Sequence, residues 1–522
     1  MTTMSQEWSA AWPGRTVLDC IASYLPQRGD AVAVVDGARR LSFTALLEDV
    51  GAFAAGMEAI GVGPGDVVSM QLPNCAEALV VHLAALRIGA VVNPVIPIYR
   101  ERELAFILAD TGARLLVIPR RHRGFDFPSM VAALPHRPPH VAVVGGAAAG
   151  FLDFAALCES GRGRQITAAP IAPDALSYLL YTSGTESNPK GVRHSQNTLL
   201  FDLLATIRMN AITADDVFFA PSPVTHITGL LYALLLPFVV GSKVCLMDRW
   251  NAGEAAAMIE REGCTWTAGA TPFLRDLLDD PAAAGHDISC LRIFRCGGAD
   301  VPPAVIRAAQ ARGINAYRSY GSTEHPTISG TSDGDPLKNA ETDGKVHPHI
   351  EIRITDPDET TRDMPPGAEG EIITRGPDRC LGYRDAGLDR AAFDAEGWYR
   401  SGDLGRVDGE GYITITGRKK DIIIRKGENI SAREVEDVLA DMAEVAAVAV
   451  VGVRDPERGE RVCAVIVPRE GCTVTMARMT AHFAAAGVAR QKFPEQLELR
   501  AALPVTASGK VRKNVLRDEL SV

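Results

Sequence analysis

The chain has 522 residues, 47% of them hydrophobic and 23% charged, with a formal net charge of −10. That length exceeds what one small core organises, so two or more lobes are expected. The acidic balance, with no long basic run, argues against a nucleic-acid surface, and an anionic ligand must be held by local cations and backbone N–H groups.

Ten cysteines are scattered along the chain without a CxxC pair or a histidine at zinc-ligand spacing. This is the pattern of reduced thiols that mostly pack. Residues 1–12 lack the basic-then-apolar layout of a signal peptide. The longest apolar run, residues 229–240, is interrupted by Pro237 and falls short of the ~18 residues a membrane span needs. A cytoplasmic protein without a membrane span is the expectation.

In chain order, residues 67–72 read as a buried strand. Asn74 with Glu77 three residues on reads as a helix start, and Gly89 is placed to end that helix. Residues 115–118, 141–144, 176–182, 244–247 and 291–296 are further strands. Strands separated by helical stretches of ten or more residues imply βαβ units and largely parallel sheets, an α/β class. Residues 367–374 and 411–416 read instead as short antiparallel strands. Beyond residue 417 a compact α+β pattern follows: helix 432–439, strands 445–453 and 462–467, and helix 475–486. The expected division is a large multi-sheet lobe, 1–417, and a small mobile α+β lobe, 418–522, joined at residues 417–421.

Five short motifs carry chemistry. YTSGTESNPKG, from Tyr181 to Gly191, follows a strand and offers hydroxyls, backbone donors and a lysine to phosphate oxygens, although the Walker A order is absent. YGSTE, from Tyr320 to Glu324, sets a hydroxyl beside a carboxylate, a pairing suited to a phosphate and its Mg²⁺. YRSGD, ending at Asp403, places a carboxylate where it can accept from both hydroxyls of a ribose. GRKKD, residues 417–421, is followed by Gly427, and Ser508-Gly-Lys510 lies near the C-terminus. Singly these read as a surface loop, a helix cap, a turn and solvated charges.

Together, in this order and over roughly residues 30–515, they resemble the adenylate-forming superfamily of acyl-CoA synthetases, aryl-CoA ligases, adenylation domains and luciferase. The resemblance implies that Thr182, Ser183, Gly184, Thr185 and Lys190 handle the outer phosphates of ATP. Thr323 would meet the α-phosphate and Glu324 the Mg²⁺. Asp403, with Arg418, would hold the ribose, while Tyr320, Gly321 and the Gly297-Gly298-Ala299 turn wall the adenine. Lys510 would be the adenylation lysine, Lys420 the hinge and Gly427 the lining of a coenzyme A tunnel. One departure is Glu186-Ser187 where the family has Thr-Gly, which restricts backbone freedom and adds negative charge beside phosphates.

Residues 221–229, PSPVTHITG, resemble the family's acid-pocket segment, with His226 as the gate and Ile227, Gly229 and Leu230 as acyl contacts. No cationic residue is evident around residues 297–299 to meet a second carboxylate. An apolar fatty, alicyclic or aromatic monocarboxylate is therefore expected, closest to the acids of bacterial fatty-acid or cyclohexanecarboxylate CoA ligases. The implied reaction forms an acyl-adenylate and pyrophosphate, then acyl-CoA and AMP. Its partners are the acid, ATP, Mg²⁺ and coenzyme A, in a monomer or homodimer. Loading of a carrier-protein thiol is the alternative. A non-catalytic ATP-binding protein is the alternative of another class.

Overall fold

The computed structural model describes residues 8, 10–182, 189–298, 301–331, 334–426, 428–456, 458–506 and 510–521. Ser183, Gly184, Thr185, Ala299 and Gly427 lie outside the described residues, as do Glu186 and Ser187.

Two parallel sheets form the large lobe. The first runs, edge to edge, through Ser329–Gly330, Asn315–Tyr320, Ile293–Gly297, Trp266–Gly269, Val217–Ala220, Lys243–Leu246, Val32–Asp36 and Arg39–Ser42. Its six inner strands pair parallel, and an antiparallel strand closes each edge. The second runs through Lys190–Ser195, Leu176–Thr182, Val91–Pro94, Val67–Met70, Leu115–Pro119, His140–Val144 and Leu152–Asp153. Val67–Met70 and Leu115–Pro119 are buried at every position. Strands covered on both faces carry continuous apolar runs, and for that reason periodicity alone could not orient them.

Helix Ala76–Arg87 packs between the two sheets, buried from Ala78 to Leu86. A helix apolar all round has no solvent face to present. Its start differs from the expectation. Cys75 is the N-cap, without a side-chain cap hydrogen bond. Asn74 is drawn off because its amide Nδ2 donates to the carbonyls of Ala220 (3.2 Å), Ser222 (2.9 Å) and Met247 (3.0 Å). Its Oδ1 accepts from the Val224 N–H at 2.8 Å. Buried amide groups left without partners cost more than a missed cap, and Asn74 satisfies four such contacts between the sheets.

An antiparallel sheet of Glu351–Thr355, Gly370–Arg375, Tyr399–Val407 and Ile413–Arg418 follows. Arg418 belongs to this sheet, its backbone paired with Asp403. A 3₁₀ turn, Lys419–Asp421, leads to the last sheet, built from Ile422–Arg425, Glu428–Ser431, Val445–Asp455, Gly459–Pro468 and Gln496–Leu499. Helices Ala432–Ala440 and Met476–Ala485 cover one face around Phe483 and Leu439. Helix Lys513–Leu520 covers the other through Leu516. Among the described residues no helix is long and apolar enough to cross a membrane.

Candidate active site

A cleft opens at the carboxyl ends of three adjacent parallel strands of the first sheet. There the chain leaves the sheet as Ala268-Gly269, as Gly297-Gly298 and as Ser319–Tyr320, all of which line the cleft. Open α/β sheets bind ligands at such ends because the loops there diverge over a rigid floor. Gly321, Ser322 and Thr323 form one wall, His226, Ile227, Thr228, Leu231 and Tyr232 another, and Lys510 of the small lobe reaches in across them. Residues of the motifs at 320–324 and 221–229 thus converge with Lys510, although His226 and Lys510 are 284 residues apart.

The backbone explains two of the glycines. A Cβ on Gly321 would sit 2.0 Å from the Pro326 carbonyl oxygen, so the turn closes only without a side chain. Gly298 has φ +79°, in the left-handed region that favours glycine.

Asp403 sits at the base of the cleft, 4% exposed. The Tyr320 hydroxyl donates to its Oδ2 at 2.7 Å and the Arg418 Nε lies 2.8 Å from Oδ1. The Asp403 N–H donates in turn to the Ser401 hydroxyl at 3.0 Å. Three of the expected nucleotide residues are therefore one hydrogen-bonded unit, and Asp403 holds the Arg418 guanidinium above its usual range.

The expected phosphate residues Thr182 and Lys190 lie directly opposite each other on the hairpin of Leu176–Thr182 and Lys190–Ser195. Lys190 Nζ lies 5.8 Å from the centre of the Tyr383 ring, and the Tyr383 hydroxyl donates to Glu324 Oε1 at 2.7 Å. Tyr383 so links the hairpin lysine to the carboxylate of the turn. The sequence reading missed it, because a lone tyrosine after Gly382 has no spacing signature. His194 Nε2 lies 2.7 Å from the Thr323 carbonyl. Burial pushes His194 down to about 4, so the ring is neutral and Nε2 carries the proton it donates.

Glu324 is 8% exposed. Among the described residues no group of three metal-ligating side chains is assembled. One carboxylate beside a phosphate loop is what Mg²⁺ takes when its other ligands are phosphate oxygens and water, so the donor set fits that ion.

Lys510 makes no ion pair among the described residues. Burial, followed by the charge of Arg418, lowers its pKa, while Asp403 and Glu324 oppose the shift. The Thr506 N–H donates to the Lys510 carbonyl at 2.7 Å. Lys420 lies exposed on the 3₁₀ turn, near enough for its charge to act on Lys510.

In the acid-pocket segment, His226 and Ile227 line the cleft, whereas Gly229 and Leu230 are absent from its lining. Leu230 is fully buried in the core, and a Cβ on Gly229 would meet the Pro223 carbonyl at 2.0 Å. A π-helical stretch, Leu230–Leu235, turns Leu231 and Tyr232 toward the cleft instead. Burial and then the nearby Lys510 charge push His226 down to about 3, so it is a neutral ring. The wall also holds a cation that the sequence reading did not see: Arg295, two residues before Gly297.

The family model described as AMP-binding enzyme matches residues 23–384, and that described as AMP-binding enzyme C-terminal domain matches residues 434–510. A medium-chain fatty-acid–CoA ligase of Escherichia coli (strain K12) is 37% identical over 500 residues, covering 94% of this chain and 88% of that one. A salicylyl-CoA synthase / salicylate adenylyltransferase of Streptomyces sp is 32% identical over 523 residues, covering 97% and 94%. The ATP-bound structure of MatB from Rhodopseudomonas palustris superposes with a TM-score of 0.85 at 27% identity, covering 97% and 99%. The apo structure of that protein superposes with a TM-score of only 0.75 at the same coverage.

Proposed function

The chain belongs to the AMP-binding enzyme family and is an AMP-forming acid–thiol ligase, and from that premise we propose that it activates an apolar monocarboxylic acid with ATP and passes the acyl group to coenzyme A. The observation that carries this reading is the meeting of Lys510 with the 321–323 turn and the acid-pocket segment in one cleft. The better fit to an ATP-bound relative than to its apo form supports a lobe arrangement suited to the first half-reaction. We place the boundary between the lobes at residues 417–421, where one sheet ends and the next begins.

A carboxylate resists a thiol because its leaving group is oxide, whereas an acyl-adenylate offers AMP. In the first half-reaction the acid oxygen attacks the α-phosphorus and pyrophosphate leaves. Charge accumulates on phosphate oxygens, so aimed positive charge and donors carry the catalysis. Lys510 supplies that charge from the small lobe, and Thr323, set by His194, supplies a hydroxyl to the α-phosphate. Thr182 and Lys190 hold the outer phosphates at the mouth of the hairpin. Asp403 accepts from the ribose hydroxyls, with Tyr320 and Arg418 fixing its two oxygens. Mg²⁺ held by Glu324 would neutralise phosphate charge.

The neutral His226 and the apolar side chains of Ile227 and Leu231 exclude water from the acid and keep its carboxylate directed at phosphorus. Lys510 then leaves with the small lobe as that lobe turns about Lys420, and coenzyme A enters to take the acyl group. The test is a panel of fatty, alicyclic and aromatic acids scored for pyrophosphate release with and without coenzyme A. Acid-dependent pyrophosphate release followed by free-CoA thioester is the expected result. Pyrophosphate release without a free-CoA thioester would transfer the assignment to carrier-protein loading, and no acid-dependent release would overturn the ligase reading.

A further inference from the structure

Arg295 is a buried cation in an otherwise uncharged part of the acid pocket. It lies on strand Ile293–Gly297, and alternate residues of a strand share a face, so Arg295 and Gly297 point the same way. Gly297 has no side chain, and a Cβ there would stand 2.6 Å from the Ser319 hydroxyl. Gly297 and Arg295 both line the cleft, about 7 Å apart along the strand. Arg295 is 4% exposed and still lines the cleft.

Its surroundings are neutral hydroxyls. Nη1 donates to Thr206 Oγ1 at 3.2 Å and to the Tyr232 hydroxyl, and Nη2 donates to Thr327 Oγ1 at 2.9 Å. A guanidinium has five N–H donors, and among the described residues three of Arg295's are used on these hydroxyls. The acid acting on it is Asp202, 1% exposed. Burial and then Asp378 raise the Asp202 pKa, while Arg295 and a Thr327 hydrogen bond oppose the shift. A buried charge is costly unless something completes it.

Resting on the ligase reading above, we infer that Arg295 is a specificity residue that receives a hydrogen-bond-accepting oxygen on the acid, remote from the carboxylate being activated. The body of the acid is apolar, as Ile227, Leu231 and Tyr232 require, and its far end carries a hydroxyl or a carbonyl oxygen, with dicarboxylates serving to test a charged oxygen against it. The Tyr232 hydroxyl accepts from Arg295, and its ring centre lies 5.2 Å from the guanidinium carbon, so Tyr232 holds Arg295 at the pocket wall.

The experiment measures kcat/KM for pyrophosphate release with matched acids: cyclohexanecarboxylate against its 4-hydroxy, 4-oxo and 4-carboxy derivatives, and octanoate against 8-hydroxyoctanoate and octanedioate. Wild type is expected to prefer at least one oxygenated member of a set by tenfold or more, and the arm that wins identifies neutral or charged oxygen. Arg295→Met should erase that preference while leaving the unsubstituted acid within a few-fold of its wild-type value. Because Arg295→Met leaves Asp202 alone in the core, the double variant Arg295→Met/Asp202→Asn is measured beside it, with melting temperature checked. Arg295→Lys should restore part of the preference. Turnover with no oxygenated acid preferred, or a preference unchanged in both methionine variants, overturns this inference alone. No pyrophosphate release with any acid overturns the ligase reading and this inference with it.

Discussion

Replacing Lys510 by alanine should separate the two half-reactions. Its ammonium faces the cleft without an ion-pair partner among the described residues, with Asp403 and Glu324 near enough to favour its charge. On the proposed reading its donors are spent on substrate. Losing one preorganised charge or donor from a water-poor site costs about 3–4 kcal/mol, or roughly 10²–10³ in rate. Acid-dependent ATP–pyrophosphate exchange should fall by that factor, while thioester formation from supplied acyl-adenylate changes only a few-fold. The pH dependence carries a sign. Burial and the Arg418 charge lower the Lys510 pKa, so the charged form is lost at lower pH than for a free lysine. Exchange should therefore fall on an alkaline limb that begins below the usual lysine range and is absent from the residual activity of Lys510→Ala. Exchange that survives the substitution within threefold would refute the assignment. So would equal loss in both half-reactions.

Other outcomes follow from single contacts. Tyr383→Phe removes the hydroxyl that Glu324 accepts; hydrogen bonds to charged groups contribute about 1.5–3 kcal/mol, so a Mg²⁺ titration of pyrophosphate release should show roughly 10- to 100-fold weaker activation, and an unchanged curve would separate Tyr383 from the ion. Asp403→Asn loses the Arg418 pair, which contributes at most about 1 kcal/mol of stability because Arg418 is half exposed. ATP affinity by calorimetry should nonetheless drop about tenfold or more, and full affinity would exclude a ribose contact. Gly321→Ala drives a Cβ to 2.0 Å from the Pro326 carbonyl and should destabilise by about 1–3 kcal/mol in denaturant melts, whereas Gly63→Ala, with open space around it, should be near neutral. His226 is already neutral well below pH 5, so the pH–rate profile should show no limb near pH 6.5 that disappears in His226→Phe.

The strands that periodicity found are those with long apolar runs, such as Leu176–Thr182, where the expected and observed bounds agree. Two central strands, Val217–Ala220 and Trp266–Gly269, were not anticipated. Four residues buried on both faces look like any short apolar stretch until their neighbours are known. Asn74 shows the complementary error: a good N-cap by local rules, diverted by four carbonyl and amide groups that the chain brings to it from residues 220–247.

Within the site, motif residues were legible because phosphate and ribose chemistry demands particular groups at short spacing, as in residues 320–324. Tyr383, His194 and Arg295 were not, because each acts on a group far along the chain: Tyr383 on Glu324, His194 on Thr323, and Arg295 on Asp202 and the pocket. Gly229 and Leu230 lie outside the cleft lining for a related reason. The π-helical turn rotates the apolar run so that Leu231 and Tyr232, rather than Leu230, face the cleft.

Amino-acid order alone determined the α/β class, the family and its reaction, since these rest on short-range composition and motif spacing that no folding is needed to read. Tertiary structure decided what surrounds each motif: the Tyr320–Asp403–Arg418 unit, the tyrosine bridging hairpin and turn, and the arginine at the end of the acid pocket. Those pairings join residues tens to hundreds of positions apart, and only the closing of sheets over a common core sets which side chains become neighbours.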